Sequence, residues 1–205
     1  LKTGLIDRML LVAEREALRS IICINKSDLI APGELDPVIA VYRRLRYCVV
    51  LMSALTGENL VMLRELLKGK FSVFIGQSGV GKTSILNRIQ PGLDLKVQDI
   101  SSGSDKGKHT TSYVSALHCD FGGVIVDTPG FRDFGLWGIT SRDVTDLFRE
   151  FRRYAGKCRF TPCSHIHEPV CAVKTAREQG RIADFRYENY RRIYESFSEE
   201  TAPDS

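Results

Sequence analysis

Five short stretches of this chain carry residue types that could do chemistry. Gly76-Gln77-Ser78-Gly79-Val80-Gly81-Lys82-Thr83 has glycines spaced for a tight loop, then a lysine and a hydroxyl. In such a loop successive backbone N–H groups converge on phosphate oxygens, and the helix that follows turns its positive end to the same anion. Lys82 would bridge the outer phosphates, the Thr83 hydroxyl would ligate Mg²⁺, and Ser84 continues the same turn. Asp127-Thr128-Pro129-Gly130 closes the apolar run Val124-Ile125-Val126. There Asp127 could hold the same Mg²⁺ through water and Gly130 could offer its N–H to the terminal phosphate. Cys158-x4-Cys163-x-His165-x5-Cys171 supplies three thiolates and an imidazole, the ligand set of a closed tetrahedral zinc site, with His167 as a competing fourth ligand. A disulfide pairing would leave an odd cysteine and need an oxidising compartment.

The remaining two stretches read a base and its reaction. Asn25-Lys26-Ser27-Asp28 follows the buried run Ile21-Ile22-Cys23-Ile24. Guanine presents N1–H beside an exocyclic amine, and one carboxylate at Asp28 can accept both. Adenine has no N1–H, so the carboxylate would face a lone pair, a costly desolvated mismatch. Lys26 would lie along the ring, Asn25 would tie this loop to the glycine loop, and Ser53-Ala54 would add a backbone donor to guanine O6. His109-Thr110-Thr111 sits in a Gly-, Ser-, Asp- and Lys-rich segment over 90–112, long enough inside a compact domain to suggest function or mobility. Either Thr110 or Thr111 could reach Mg²⁺. His109 could orient or deprotonate water, or be a solvent-facing loop histidine. Many GTPases place a glutamine directly after the glycine of Asp-x-x-Gly; this chain has Phe131, so slow unaided hydrolysis is expected.

The order of these motifs is itself informative. The base-reading pair comes before the phosphate-reading set, the reverse of most GTPases. A circularly permuted GTPase follows, and a signalling GTPase conflicts with that order.

Elements able to position the motifs alternate along the chain. Periodicity predicts helices over 6–19, 35–46, 58–68, from 82 to 89, and from Thr140 onward behind a capping box, with two basic helices over 172–179 and 183–197. Apolar runs predict strands at 21–24, 47–52, 71–75, 113–119 and 123–127. The class is α/β, followed by a mainly helical segment. Cys23, Cys48 and Cys119 sit singly in apolar runs and read as small core hydrophobes.

With 205 residues, 43% hydrophobic and 26% charged, the composition is that of an ordinary globular protein. No apolar run reaches the ~20 residues of a membrane helix, and charges at Lys2, Asp7, Arg8 and beyond leave no signal peptide. A chain starting at Leu1 almost directly on a helix reads as a fragment. The formal charge is +4, yet Arg149 to Arg192 alone holds eleven Lys/Arg against five Asp/Glu, a net of +6. That excess suggests an anionic partner such as nucleic acid, or a solvated helical face.

The permuted order, with Cys158-Arg159-Phe160, Cys163-Ser164-His165, Glu168-Pro169 and Cys171-Ala172-Val173 after Asp127-Thr128-Pro129-Gly130-Phe131, closely resembles the RsgA/YjeQ family. Asp7-Arg8 and the late Arg186…Tyr190 helix extend the likeness over nearly the whole chain. The resemblance implies a permuted P-loop GTPase domain over 1–137 and a zinc-binding helical domain over 138–205, with an N-terminal OB-fold that this chain lacks. It implies a cytoplasmic, monomeric GTPase acting with GTP/GDP, Mg²⁺ and Zn²⁺ in late maturation of the 30S subunit. The subunit and its rRNA would stimulate it, with His109 as switch histidine and Cys158, Cys163, His165 and Cys171 as zinc ligands. Pro162 and Val170 depart from the family pattern between the ligands, and Lys108 replaces a more usual arginine. The alternative is a nucleotide-gated RNA-binding module with negligible catalysis.

Overall fold

The structure is a computed structural model that describes residues 1–92, 115–127, 136 and 138–199. Its elements alternate helix and strand: α1 (Thr3–Arg15), β1 (Ile21–Ile24), α2 (Asp36–Arg44), β2 (Cys48–Leu51), α3 (Leu60–Leu67), β3 (Phe71–Val73), α4 (Lys82–Ile89), β4 (Ser115–His118) and β5 (Val124–Asp127). Three helices follow: α5 (Ser141–Leu147), α6 (Ala172–Glu178) and α7 (Asp184–Glu199).

The chain forms two compact units. One comprises Ile21–Pro37 and Val49–Phe134. Its described residues form two sheets, one ordered β1-β2, the other β3-β5-β4. β3 runs parallel to β5 with Phe71 opposite Val124, and β4 runs antiparallel to β5 with Leu117 opposite Ile125. β2 buries Val49 and Val50 in succession, as a strand covered on both faces does. α4 buries Ile85, Leu86 and Ile89, one face of a helix at the expected spacing, and packs on α3. Phe71, Val73 and Ile75, one face of the β3 run by their period of two, are 82%, 50% and 39% exposed. Cys23 and Cys48, expected in the core, are only half-buried; Cys119 is buried.

The other unit gathers Leu1–Ser20, Val38–Cys48 and Gly135–Ser205. In it α1 and much of α2 cluster with the C-terminal helices. The helix predicted over 6–19 ends early: Ala17 turns into the left-handed region (φ 52°) and Leu18 N bonds back to Ala13 O at 2.8 Å. Its buried face holds Leu10, Leu11 and the carboxylate of Asp7, 1% exposed. The core of this unit runs through Leu11, Val144, Phe148, Phe151, Val173, Ile182, Tyr190 and Ile193. The Phe151 and Tyr190 rings meet at a tilt of 58°, with 4.6 Å between ring centres.

A buried polar knot lies within that core. Arg186, 2% exposed, pairs with Asp7 and, at 2.6 and 2.9 Å, with both oxygens of Glu150. Asp7 also accepts from Tyr42 Oη at 2.7 Å and Asn189 Nδ2 at 2.6 Å. Burial pushes the Asp7 carboxyl above its usual range, and Arg186 opposes that. The sequence marks the same residues, Asp7 and Arg186, without saying that they meet.

The capping box at Thr140 is formed. Asp143 N donates to Thr140 Oγ1 at 3.4 Å, and Thr140 N to Asp143 Oδ2 at 2.7 Å. Bonds from Thr140 lower the Asp143 pKa. Thr140→Ala is expected to cost about 1 kcal/mol in a thermal or urea melt.

Candidate functional site

The phosphate and base loops are built from the ends of β1, β2 and β3. The glycine loop needs its glycines. Gly81 has φ +93°, and a Cβ there would sit 2.3 Å from Asn25 Nδ2. A Cβ on Gly76 would press on Val80 at 3.2 Å. Lys82 Nζ donates to the carbonyls of Gly76 at 2.6 Å and Gln77 at 2.9 Å, which places the ammonium at the mouth of the loop. Thr83 and Ser84 occupy the first turn of α4, where backbone N–H groups are left over by the helix and available to an anion.

The base loop is tied to this loop directly. Asn25 Nδ2 donates to Val80 O at 3.0 Å, and Lys26 Nζ to Gly79 O at 3.0 Å. Asn25 Oδ1 accepts from Ala54 N at 3.0 Å, so one side chain joins three segments. Asp28 Oδ1 accepts from the fully buried Ser53 hydroxyl, which anchors one oxygen of the carboxylate. Asn25, Lys26, Asp28, Ser53, Ala54 and the 76–84 stretch are thus brought together. Asp127 ends β5. His109, Thr110, Thr111, Gly130 and Phe131 lie outside the described residues.

The second cluster lies in the other unit. The ligand atoms of Cys158, Cys163, His165 and Cys171 all fall within 4.8 Å of one another. Cys158 Sγ to Cys171 Sγ is 3.8 Å, Cys158 Sγ to His165 Nδ1 3.5 Å, and His165 Nδ1 to Cys171 Sγ 3.3 Å. A tetrahedron with Zn–S near 2.3 Å and Zn–N near 2.05 Å requires edges of about 3.8 and 3.6 Å. The donor set fits zinc in type and spacing, and the sulfur separation excludes a Cys158–Cys171 disulfide. The competing His167 is exposed and outside the cluster.

Tyrosines on α7 hold this loop. Tyr187 Oη donates to His165 O at 2.7 Å and Tyr190 Oη to Ser164 O at 2.6 Å. Ser164 N and Oγ both donate to Glu168, at 2.7 and 2.9 Å. Burial alone would raise that carboxyl, but these donors hold it at about 2. Bonds to the main chain beside the ligands hold their loop in one orientation.

The sequence matches the family described as RsgA GTPase over residues 1–137. The chain belongs to the RsgA GTPase family. It is 40% identical over 202 residues to the small ribosomal subunit biogenesis GTPase RsgA of Haemophilus influenzae (strain PittGG), covering 97% of this chain and 58% of that protein. It is 42% identical over 205 residues to the protein of that name from Saccharophagus degradans, covering 96% and 60%. The chain therefore spans about three fifths of the length of these relatives. Among solved structures, YjeQ from Thermotoga maritima matches with a TM-score of 0.80 and 39% identity over 96% of this chain and 66% of that one. YloQ, described as a circularly permuted GTPase, matches with a TM-score of 0.75 and 28% identity over 100% and 66%. The fold is that of a circularly permuted GTPase, as the motif order indicates.

Part of the basic excess between 149 and 192 is spent inside the protein. Six of its eleven cations are ion-paired: Arg149 and Arg152 with Glu14, Arg177 with Asp184, Arg186 with Glu150, and Arg191 and Arg192 with Glu188. Arg153, Lys157, Arg159 and Arg181 remain exposed, close in sequence to the exposed Phe160.

Proposed function

We propose that this chain is an Mg²⁺-dependent GTPase of ribosome biogenesis, binding GTP and GDP and acting on the 30S subunit late in its maturation. The observation that carries the reading is the pair of bonds from Asn25 and Lys26 to Val80 and Gly79. They set a carboxylate suited to guanine beside a loop suited to phosphates. Asp28 reads the base, the 76–84 loop holds the phosphates, and Thr83, Asp127 and Thr111 or Thr110 hold Mg²⁺. His109 would orient the attacking water once a partner surface closes its segment, since Phe131 cannot. Residues 1–137 carry the nucleotide chemistry and 138–205 the metal ligands. Zinc at Cys158, Cys163, His165 and Cys171 would be structural, its coordination closed by four protein ligands. The small-subunit name borne by the relatives and the exposed Arg153, Lys157, Arg159 and Arg181 support rRNA as partner, with the chain acting as a cytoplasmic monomer. A nucleotide-gated RNA-binding module is the second reading, favoured only by Phe131.

Turnover of GTP with and without purified 30S subunits separates the two. Stimulation supports the GTPase reading, with His109→Ala expected to abolish it. No stimulation, together with subunit binding that depends on nucleotide, favours the module. Asp28→Asn is expected to weaken GDP binding ~10²-fold or more by losing the paired acceptor, measured by fluorescence titration.

A further inference from the structure

We propose that Glu58 is a positioning residue for guanine selectivity, acting on Asp28 through Ser27. The inference rests on the guanine reading of the base loop. It starts from Lys26, which has φ 67°, a left-handed conformation disfavoured for any residue with a Cβ. Such a conformation persists only where its surroundings over-determine it. On one side the Asn25 and Lys26 side chains are anchored to the phosphate loop. On the other, Ser27 N donates to Met52 O at 3.0 Å and Ser27 Oγ donates to Glu58 Oε2 at 2.5 Å. A hydroxyl bond to a carboxylate is charge-assisted and short, and of the stronger kind.

Glu58 also reaches Ser53, the residue that holds Asp28 from the other side. Ser53 N donates to Glu58 O at 3.3 Å, and the same Ser53 supplies the hydroxyl that holds Asp28 Oδ1. The loop is closed again by Gly57 N to Ser53 O at 2.9 Å and Thr56 N to Ser53 Oγ at 3.1 Å. One residue therefore grips both neighbours of the reading carboxylate: Ser27 by its side chain, Ser53 by its main chain. The side-chain grip is the one that mutation can release.

Release has a specific signature. Guanine needs both carboxylate oxygens of Asp28 in the plane of the base, one for N1–H and one for the amine. Hypoxanthine lacks the amine and takes only the N1–H bond. A looser Ser27 lets the carboxylate tilt, which costs the two-bond ligand more than the one-bond ligand. The readout is the ratio of GDP to inosine diphosphate affinity, which a general loss of stability would leave alone.

The test titrates GDP and inosine diphosphate against the 205-residue chain and its variants, with melting temperatures recorded alongside. Glu58→Ala and Ser27→Ala should each lower the GDP preference about fivefold, as loss of one exposed charge-assisted bond would. The double variant should fall no further, because both changes remove the same bond. Glu58→Gln should retain most of the preference, since its amide oxygen still accepts from Ser27. If Glu58→Ala does not fold, Ser27→Ala and Glu58→Gln carry the comparison. Equal weakening of both nucleotides, or additive single effects, would overturn the proposal. A parent chain that fails to prefer GDP over ADP would sink the guanine reading itself, and this inference with it.

Discussion

Arg186→Ala is expected to destabilise the chain by about 3–5 kcal/mol, the range for removing one partner of a buried ion pair. Total stability of a domain this size is of order 5–15 kcal/mol, so the loss should be plain in a urea melt. The cause is what remains. Asp7 and Glu150 would be left buried without their cation, and Arg186 also lies 4.5 Å from the Phe148 ring centre, so its packing is lost too. Arg186→Met with Asp7→Asn and Glu150→Gln should cost less than the single alanine, because it leaves no bare charge. If Arg186→Ala shifted the midpoint by under ~1 kcal/mol, the knot would be no more than an incidental set of contacts.

Metal removal should have an effect at least as large. One zinc per chain is expected by elemental analysis, and Cys171→Ser should abolish it. Zinc contributes on the order of 10 kcal/mol where a small loop has no other core. Here the ligands are joined to one: Cys171 is 3% exposed, and the Phe151 and His165 rings meet edge-on at 5.9 Å. Chelation should therefore weaken the packing around Phe151 and Tyr190 as well as the loop, read as a lower and broader thermal transition. His167→Ala, an exposed imidazole outside the cluster, should leave zinc content unchanged. A parent chain free of zinc, with a melt indifferent to chelator, would refute the metal reading.

Much of this was legible because it is local. The run Ile21–Ile24, the helix opened by Lys82 and the capping box at Thr140 each depend on neighbours a few positions away. The ligand set from Cys158 to Cys171 is a single short loop, and the tie from Asn25 to the phosphate loop follows from what the motif must do. The Asp7–Arg186 pair joins residues 179 positions apart, and nothing in either helix's periodicity names its partner. A charged residue on an apolar helix stripe was the available signal. The bond from Ser27 to Glu58 was hidden for another reason. Glu58 is exposed and has the composition of an ordinary turn, so only geometry reveals what it grips. The open face of Phe71, Val73 and Ile75 also departs from the pattern, since an apolar strand run reads as covered. The reaction residues His109, Thr110, Thr111 and Gly130 lie outside the described residues, and their roles rest on the sequence.

The pairing of α1 with α7 dictates an order of events at synthesis. The unit of Ile21–Pro37 and Val49–Phe134 is complete once Phe134 has emerged, and it can fold while the chain is still growing. The other unit cannot. Leu10, Leu11 and Asp7 lie on α1, yet Arg186, Asn189 and Ile193 arrive only with α7, about 170 residues later. The nascent chain must therefore carry α1 with an unmatched apolar stripe and a lone carboxylate until α7 has emerged. Truncation before α7 would leave the nucleotide loops assembled on a chain still exposed to chaperones and proteases.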